Sequence, residues 1–300
     1  EDPLCKQTHR ELLEMAGIAT VCDIMPLKDE NRIIVKTALE YLKDSKSPGL
    51  QALMALNELE PSKLTSYSIG FVIGPCLNAT GRLDTAQLAL ELLQAKTFDE
   101  AVPIASALKK YNANRKEMTE KGVEEAMALL ESGAYDSDRV LVLYLPEVHE
   151  SIAGIIAGRI REKYNLPSIV LTKGHDGAKG SGRSIEEYNM FEELLKCKDI
   201  LGKFGGHPMA AGMSIPIENI DLFRKRLNEV TTLSDEDIIP KVSIDMPLPI
   251  NKINYNLIDE IALLEPYGKA NPKPNFGAKG LRELALITDD SVIPKLKNCT

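Results

Sequence analysis

Residues 139–173 constrain the fold more than any other part of this chain. They read as an apolar run, "RVLVLYLPE", then "SIAGIIAGRIREKY", then a second apolar run, "PSIVLTK". Runs this short and apolar are buried strands. The middle segment has helical spacing, with small residues on its inner face. A strand, a helix and a strand joined by short connections indicate an α/β domain. "AKGSGRSI" follows as a glycine-rich loop and "MFEELLKCKDIL" as a helix. "ENIDLFRKRLNEVTTL" closes the unit as an amphipathic helix, giving a domain over 134–234.

The residues before it are helical. "THRELLEMAGIATVCDIMPL" starts as a helix with Thr8 as N-cap and Glu11 as its capping-box partner, then becomes a small apolar run ending in Asp23. "NRIIVKTALEYLKDS", "GLQALMALNEL" and "TAQLALELLQA" are further helices, so 1–97 form a helical part. "LTSYSIGFVIGPCLNATGRL" mixes a buried apolar segment with glycine and proline punctuation. Over 98–133 polar and apolar residues alternate at helical spacing, with Pro103 tolerated near the start. A long polar helix between two apolar regions bridges domains, or lies solvated along one of them. After Pro240, "KVSIDMPLPI" and "NFGAKGLRELALI" read as strands around a short helix, a mostly β unit over 235–300.

Composition excludes several classes. At 300 residues, 44% hydrophobic and 27% charged, the chain matches an ordinary soluble globular protein. No apolar run is long enough to span a bilayer, so no membrane partner is expected. Cys5, Cys22, Cys76, Cys197 and Cys299 are scattered and never form a CxxC pair, which argues against disulfides or structural zinc and for a reducing, cytoplasmic setting. The net charge of −8 offers no global attraction to nucleic acid, so such a site must be a local basic groove. The chain starts at Glu1, and its last residues read as a strand and turn with no closing partner. An internal fragment is therefore expected.

Five stretches could carry chemistry. Asp23 ends an apolar run, as ligand-binding carboxylates do at strand ends; a helix or turn cap is the alternative. In "GPCLNATGRLD", Asn78 and Arg82 stand among small residues that let a ligand approach, and arginine binds phosphate oxygens bidentately. The alternative for Arg82 is a surface residue opening the next helix. In "AKGSGRS", Ser181, Gly182 and Arg183 can present hydroxyl, backbone N–H and charge to an anion, although the loop is not a P-loop and can equally be a hairpin turn. His149 in "EVHES" occupies a strand-to-helix junction, or simply a helix N-cap region. "KFGGHPMAAGMSI" places one of only four histidines, His207, after Gly205 and Gly206. Those glycines permit φ > 0 and close backbone approach, leaving His207 exposed at a turn, where it can bind phosphate, orient water or act as general acid.

In this order, "ATVCDIMPLKDENR", "IGPCLNATGRL", "VHESIAGIIAGRI", "GSGRS", "FGGHPMAAGMSI" and "LLEPYGKANPKPNF" resemble the RecJ single-strand-specific 5′→3′ exonucleases of the DHH phosphoesterase superfamily. The resemblance implies the end of a catalytic DHH domain over 1–97, a connecting helix over 98–133, an α/β DHHA1 domain over 134–234, and the start of an OB-fold over 235–300. It makes Asp23 a ligand of a Mn²⁺ or Mg²⁺ pair. Asn78, Arg82, Ser181, Gly182, Arg183, Gly205 and Gly206 become phosphate-binding, and His149 and His207 line the cleft as catalytic residues. It also implies two-metal hydrolysis of single-stranded DNA in recombination and repair, with a single-strand-binding protein and a helicase as partners. No D-H-H triplet occurs, so this chain alone is expected to be inactive. Two rival readings are a phosphodiesterase for cyclic dinucleotides or short oligonucleotides, and a non-catalytic DNA-binding scaffold.

Overall fold

The computed structural model describes residues 3–83 and 85–279. Its first half is a bundle of short helices: α1 (Pro3–Cys22), α2 (Asp29–Leu42) and α3 (Pro48–Leu56). α1 is a single helix. Thr8 lies inside it, so the capping-box reading fails: the run "GIATVC" has helix-compatible small residues and simply continues the preceding turns. Gly17 is why α1 and α2 lie so close, since a Cβ there would fall 2.1 Å from the Ala38 Cβ. Ile24 then adopts φ 56 and the helix stops. Ser47 caps α3 by accepting the Leu50 N–H, with Pro48 opening the helix.

The segment expected to be broken by glycine and proline is helical throughout. It begins as α4 (Ser66–Ser68), widens into a π-helical turn over Ile69–Ile73, and continues as α5 (Gly74–Leu83). The glycines do not break it; they make room. A Cβ on Gly74 would sit 2.4 Å from the Cys22 Sγ, so this glycine admits the end of α1. α6 (Gln87–Gln94) completes the bundle. α7 (Phe98–Glu131) is capped by Thr97, which accepts the Glu100 N–H at 3.2 Å. Ala101, Ala105 and Leu108 near its start belong to the core of the helical bundle, whereas Val123, Ala126 and Leu130 near its end belong to a second core.

That second core is one side of a sheet. β1 (Leu141–Tyr144) pairs in parallel with β2 (Ser168–Gly174) through the crossover helix α8 (Ala153–Tyr164). β3 (Gly177–Arg183), β5 (Ala210–Ile215) and β4 (Phe204–His207) follow antiparallel, in the order β1-β2-β3-β5-β4. α7 and α8 cover one face; α9 (Met190–Leu195) and α10 (Ile220–Val230) cover the other, which holds Ile169, Leu171, Met213 and Ile215. "AKGSGRS" is thus the central strand β3, not a loop. Its glycines are needed for packing: a Cβ on Gly180 would fall 2.4 Å from the Leu171 Cδ2, and one on Gly182 would fall 3.1 Å from the Met190 thioether.

After α10 the chain forms β6 (Met246–Pro247), α11 (Tyr255–Ala262) and β7 (Phe276–Gly277), with β6 and β7 parallel. The expected strands survive here as these short pieces; "NFGAKGLRELALI" beyond Lys279 lies outside the described residues. Residues 263–269 return to the bundle, where Arg32 donates to the Leu263 and Glu265 carbonyls and the Leu27 N–H donates to the Lys269 carbonyl at 2.7 Å. Among the described residues no helix is long and apolar enough to cross a membrane.

Candidate functional site

Strand alternation sorts the residues of β3 onto two faces. Ala178, Gly180 and Gly182 face the core beneath α9 and α10, while Lys179, Ser181 and Arg183 face α8. The register carries this across the sheet. Arg183 is opposite Ala210, which is opposite His207; Ser181 is opposite Gly212, which is opposite Gly205. One row therefore has almost no side chains, and a Cβ on Gly205 would meet nothing within 4 Å. The result is a bare strip of sheet surface bordered by Arg183 and His207.

Two expectations need correction. Gly205 and Gly206 are extended strand residues, not positive-φ turn residues; the turn comes later, at Pro208 and Met209, because β4 pairs with β5 right up to His207. Gly206 and Gly182 also point away from the strip. A Cβ on Gly206 would lie 2.3 Å from the Ala210 carbonyl oxygen, so this glycine is demanded by the hairpin itself.

The strip is closed on one side by the start of α8. Gly154 lies directly over Ser181 and Arg183: a Cβ there would be 2.8 Å from the Ser181 Oγ and 2.7 Å from the Arg183 Nη2. Arg183 donates to Ser181 Oγ at 3.0 Å and to the Gly182 carbonyl at 2.8 Å. His149 caps the short 3₁₀ turn Glu150–Ile152 that leads into α8, and Glu150 pairs with Lys179 of β3 at 2.7 Å. That ion pair sets the His149 turn above the same sheet face. The Nδ1 atoms of both histidines accept backbone N–H groups, His149 from Ser151 at 3.3 Å and His207 from Met209 at 3.2 Å. In the neutral ring this leaves Nε2–H as the donor, exposed in each case.

The helical bundle supplies the opposite wall. Arg82 lies in the last turn of α5 rather than at the start of a helix, and donates to the Ser151 carbonyl at 2.9 Å. Asn78, one turn back, lines a cavity of about 190 Å³ with Arg82, Arg115 of α7, Ile155 of α8 and Cys22. The arginines here crowd one another. Burial first, then Arg82 and Arg161, hold the Arg183 pKa below the usual guanidinium range. Burial, Arg82 and Arg159 do the same for Arg115. Among the described residues no carboxylate pairs with Arg82, Arg115 or Arg183. Several guanidiniums gathered without acids make a site for an anion with more than one charge.

Asp23 is the residue least supported by its surroundings. It follows the last turn of α1, exposed, beside the Cys22 that lines the arginine cavity. It occupies a helix end rather than a strand end. Among the described residues no group of three or more His, Cys, Asp or Glu could hold a metal. Asp23 can thus give one carboxylate to an ion but cannot hold a pair of ions by itself.

Sequence reading missed Arg115, its neighbour Asn112, and Gly154. The first two lie in a helix read only for its alternating polar and apolar spacing. The third was seen only as one of several small residues on the inner face of α8.

Comparison with known proteins bears on the fold of this chain. Residues 137–232 match the model of the DHHA1 domain, and residues 244–296 that of the RecJ OB domain. The chain is similar to the single-stranded-DNA-specific exonuclease RecJ of Bacillus subtilis, 37% identical over 93% of this chain and 35% of that protein. It is also similar to that of Escherichia coli, 34% identical over 89% of this chain and 48% of that protein. The chain therefore spans about a third to a half of the relatives' length. The crystal structure of RecJ in complex with Mn²⁺ from Thermus thermophilus superposes with a TM-score of 0.81 at 30% identity, covering 92% of this chain and 41% of that one. A crystal structure of the same protein with Mg²⁺ gives a TM-score of 0.80.

Proposed function

We propose that this chain, which belongs to the RecJ family, forms the phosphate-holding part of a cleft in which single-stranded DNA is hydrolysed from its 5′ end. The observation that carries this reading is the convergence of Arg82, Arg183 and Ser181 at the start of α8, with no carboxylate against the arginines among the described residues. The 5′-terminal phosphate binds there. The bare Gly205–Gly212–Ser181 strip lets the sugar-phosphate backbone lie against the sheet, since no side chain projects from its two glycines. His149 and His207 flank the cleft and donate Nε2–H to phosphate oxygens, and Asn78 joins Arg82 at the bundle wall. Gly182 and Gly206 act indirectly, by letting β3 and β4 pack closely enough to hold that surface.

A Mn²⁺ or Mg²⁺ site fits this chain only in part. Asp23 supplies one ligand, and the remaining ligands come from outside the described residues. The ions, when bound, supply an activated water and offset charge on the scissile phosphodiester. The match of 244–296 to the RecJ OB domain favours a long single strand over a dinucleotide as substrate, because an OB-fold adds backbone contacts and stacking. We assign residues 1–97, 98–133, 134–234 and 235–300 to the end of the DHH domain, the connecting helix, the DHHA1 domain and the OB-fold. A single-strand-binding protein and a helicase as partners, and the cytoplasm as compartment, follow from the family resemblance and the scattered cysteines.

The test compares 5′-phosphorylated single strands with blunt duplexes in Mn²⁺. This chain should bind the single strand preferentially and leave it intact. Joined to the segment that completes the metal ligands, it should release nucleotides from the 5′ end. Hydrolysis by this chain alone, or equal binding of duplex, would sink the reading.

A further inference from the structure

The buried Asn112 makes Arg115 more than a surface cation. Asn112 is 6% exposed, and its Oδ1 accepts from Arg115 Nε at 3.1 Å and Nη2 at 2.9 Å. Its Nδ2 donates to Cys76 Sγ at 3.5 Å, so the amide cannot turn without losing a partner on each side. One edge of the guanidinium is thereby occupied. Nη1 remains without a hydrogen-bond partner among the described residues, in a side chain that lines the cavity shared with Asn78 and Arg82. Arg82 lines the same cavity, and its charge lowers the pKa of both Arg115 and Arg183. A partly buried arginine locked by a buried amide, with Arg82 and Arg159 acting on it, is costly unless an anion completes the set.

Resting on the cleft reading above, we infer that Arg115 is a further phosphate-binding residue, positioned by Asn112, and that with Arg82 and Arg183 it selects a terminal phosphate monoester over an internal diester. The chemistry favours this choice. A terminal phosphate carries close to two charges and three free oxygens, against one charge and two free oxygens for a diester, and three guanidiniums match the former.

The experiment measures binding of 5′-phosphorylated and 5′-hydroxyl pentathymidylate to this chain by fluorescence anisotropy, over a series of salt concentrations. Wild type should prefer the phosphorylated strand. Arg115→Gln should lose roughly tenfold of that preference while binding the hydroxyl strand almost as before. Its log-log salt slope for the phosphorylated strand should fall by about 0.7, the share of one phosphate contact on a single strand. Asn112→Leu, which leaves the charge unchanged, should lose part of the preference, and thermal unfolding confirms that each variant is folded. A wild-type chain indifferent to the 5′ phosphate overturns the cleft reading itself. A wild-type preference retained in full by folded Arg115→Gln, with an unchanged salt slope, overturns the assignment of Arg115 alone.

Discussion

Gly154→Ala tests whether the start of α8 serves the cleft or the core. The new methyl would fall 2.7 Å from the Arg183 Nη2 and 2.8 Å from the Ser181 Oγ, too close for either to remain. Both obstacles are side-chain ends, so they swing aside and the backbone stays. Helix propensity then works in favour of the variant, by up to about 1 kcal/mol for alanine over glycine. Against it stands the loss of the Arg183 bonds to Ser181 at 3.0 Å and to the Gly182 carbonyl at 2.8 Å, each worth about 1 kcal/mol. The net change in urea-unfolding stability should lie within about 1–2 kcal/mol of wild type. Binding is different. A guanidinium displaced from the cleft forfeits a charge-assisted hydrogen bond of about 1.5–3 kcal/mol, or roughly 10- to 100-fold in affinity for a 5′-phosphorylated strand. Stable protein with full affinity would show that Arg183 does not hold the phosphate. A loss of more than about 3 kcal/mol would show that Gly154 serves the core rather than the cleft.

The paired glycines of β4 make a second contrast. Gly206→Ala drives a Cβ to 2.3 Å from the Ala210 oxygen and 2.6 Å from the Ala211 Cα, both backbone, and should cost about 3 kcal/mol or more in chemical denaturation. Gly205→Ala, which meets nothing within 4 Å, should leave stability unchanged yet weaken single-strand binding by filling the strip; the reverse ranking would contradict the register. Burial raises both the Cys22 thiol and the Cys197 thiol, the latter to about 11, but of the two only Cys22 is partly exposed. In folded protein at pH 8 iodoacetamide should therefore label Cys22 well before Cys197, with peptide mass mapping as the readout. Buried Glu14 accepts a hydrogen bond from Ser45 at 2.6 Å, but desolvation raises its pKa above the usual carboxylate range. A raised folded-state pKa contributes stability at low pH that is lost as pH rises through it. Glu14→Gln should flatten that fall between acid and neutral pH, and an identical pH–stability profile would refute the claim.

How far this arrangement can be read from sequence depends on the kind of signal. The apolar runs flanking α8 announced the parallel β1–β2 unit because nothing except buried strands suits them. α7 was equally clear from its long helical period. The glycine-rich stretches misled for one shared reason: they were read as a loop and a turn, when β3 and β4 are strands that use glycine for its missing side chain. Gly182 leaves room for Met190 and Gly206 for the Ala210–Ala211 backbone, and both lie in extended strands. That distinction depends on what crosses the glycine from another strand, which one strand's sequence does not contain. The same limit hid Arg115 and Gly154. Each matters through a partner far along the chain: Arg82 and Asn78 for the first, Ser181 and Arg183 for the second. Asp23 was picked out by its run of small residues, yet that run is the end of a helix. Among the described residues no cluster of His, Cys, Asp or Glu stands with it.

The central claim, that one phosphate is held jointly by the bundle and the sheet, can be tested by following the arginine Nε–Hε resonances of this chain during titration with 5′-phosphorylated dithymidylate. Arg82 and Arg183 should shift together and saturate at one concentration, with the Ser181 and Gly154 amides moving alongside them. Shifts confined to one wall of the cleft, or absent from both arginines, would contradict the account.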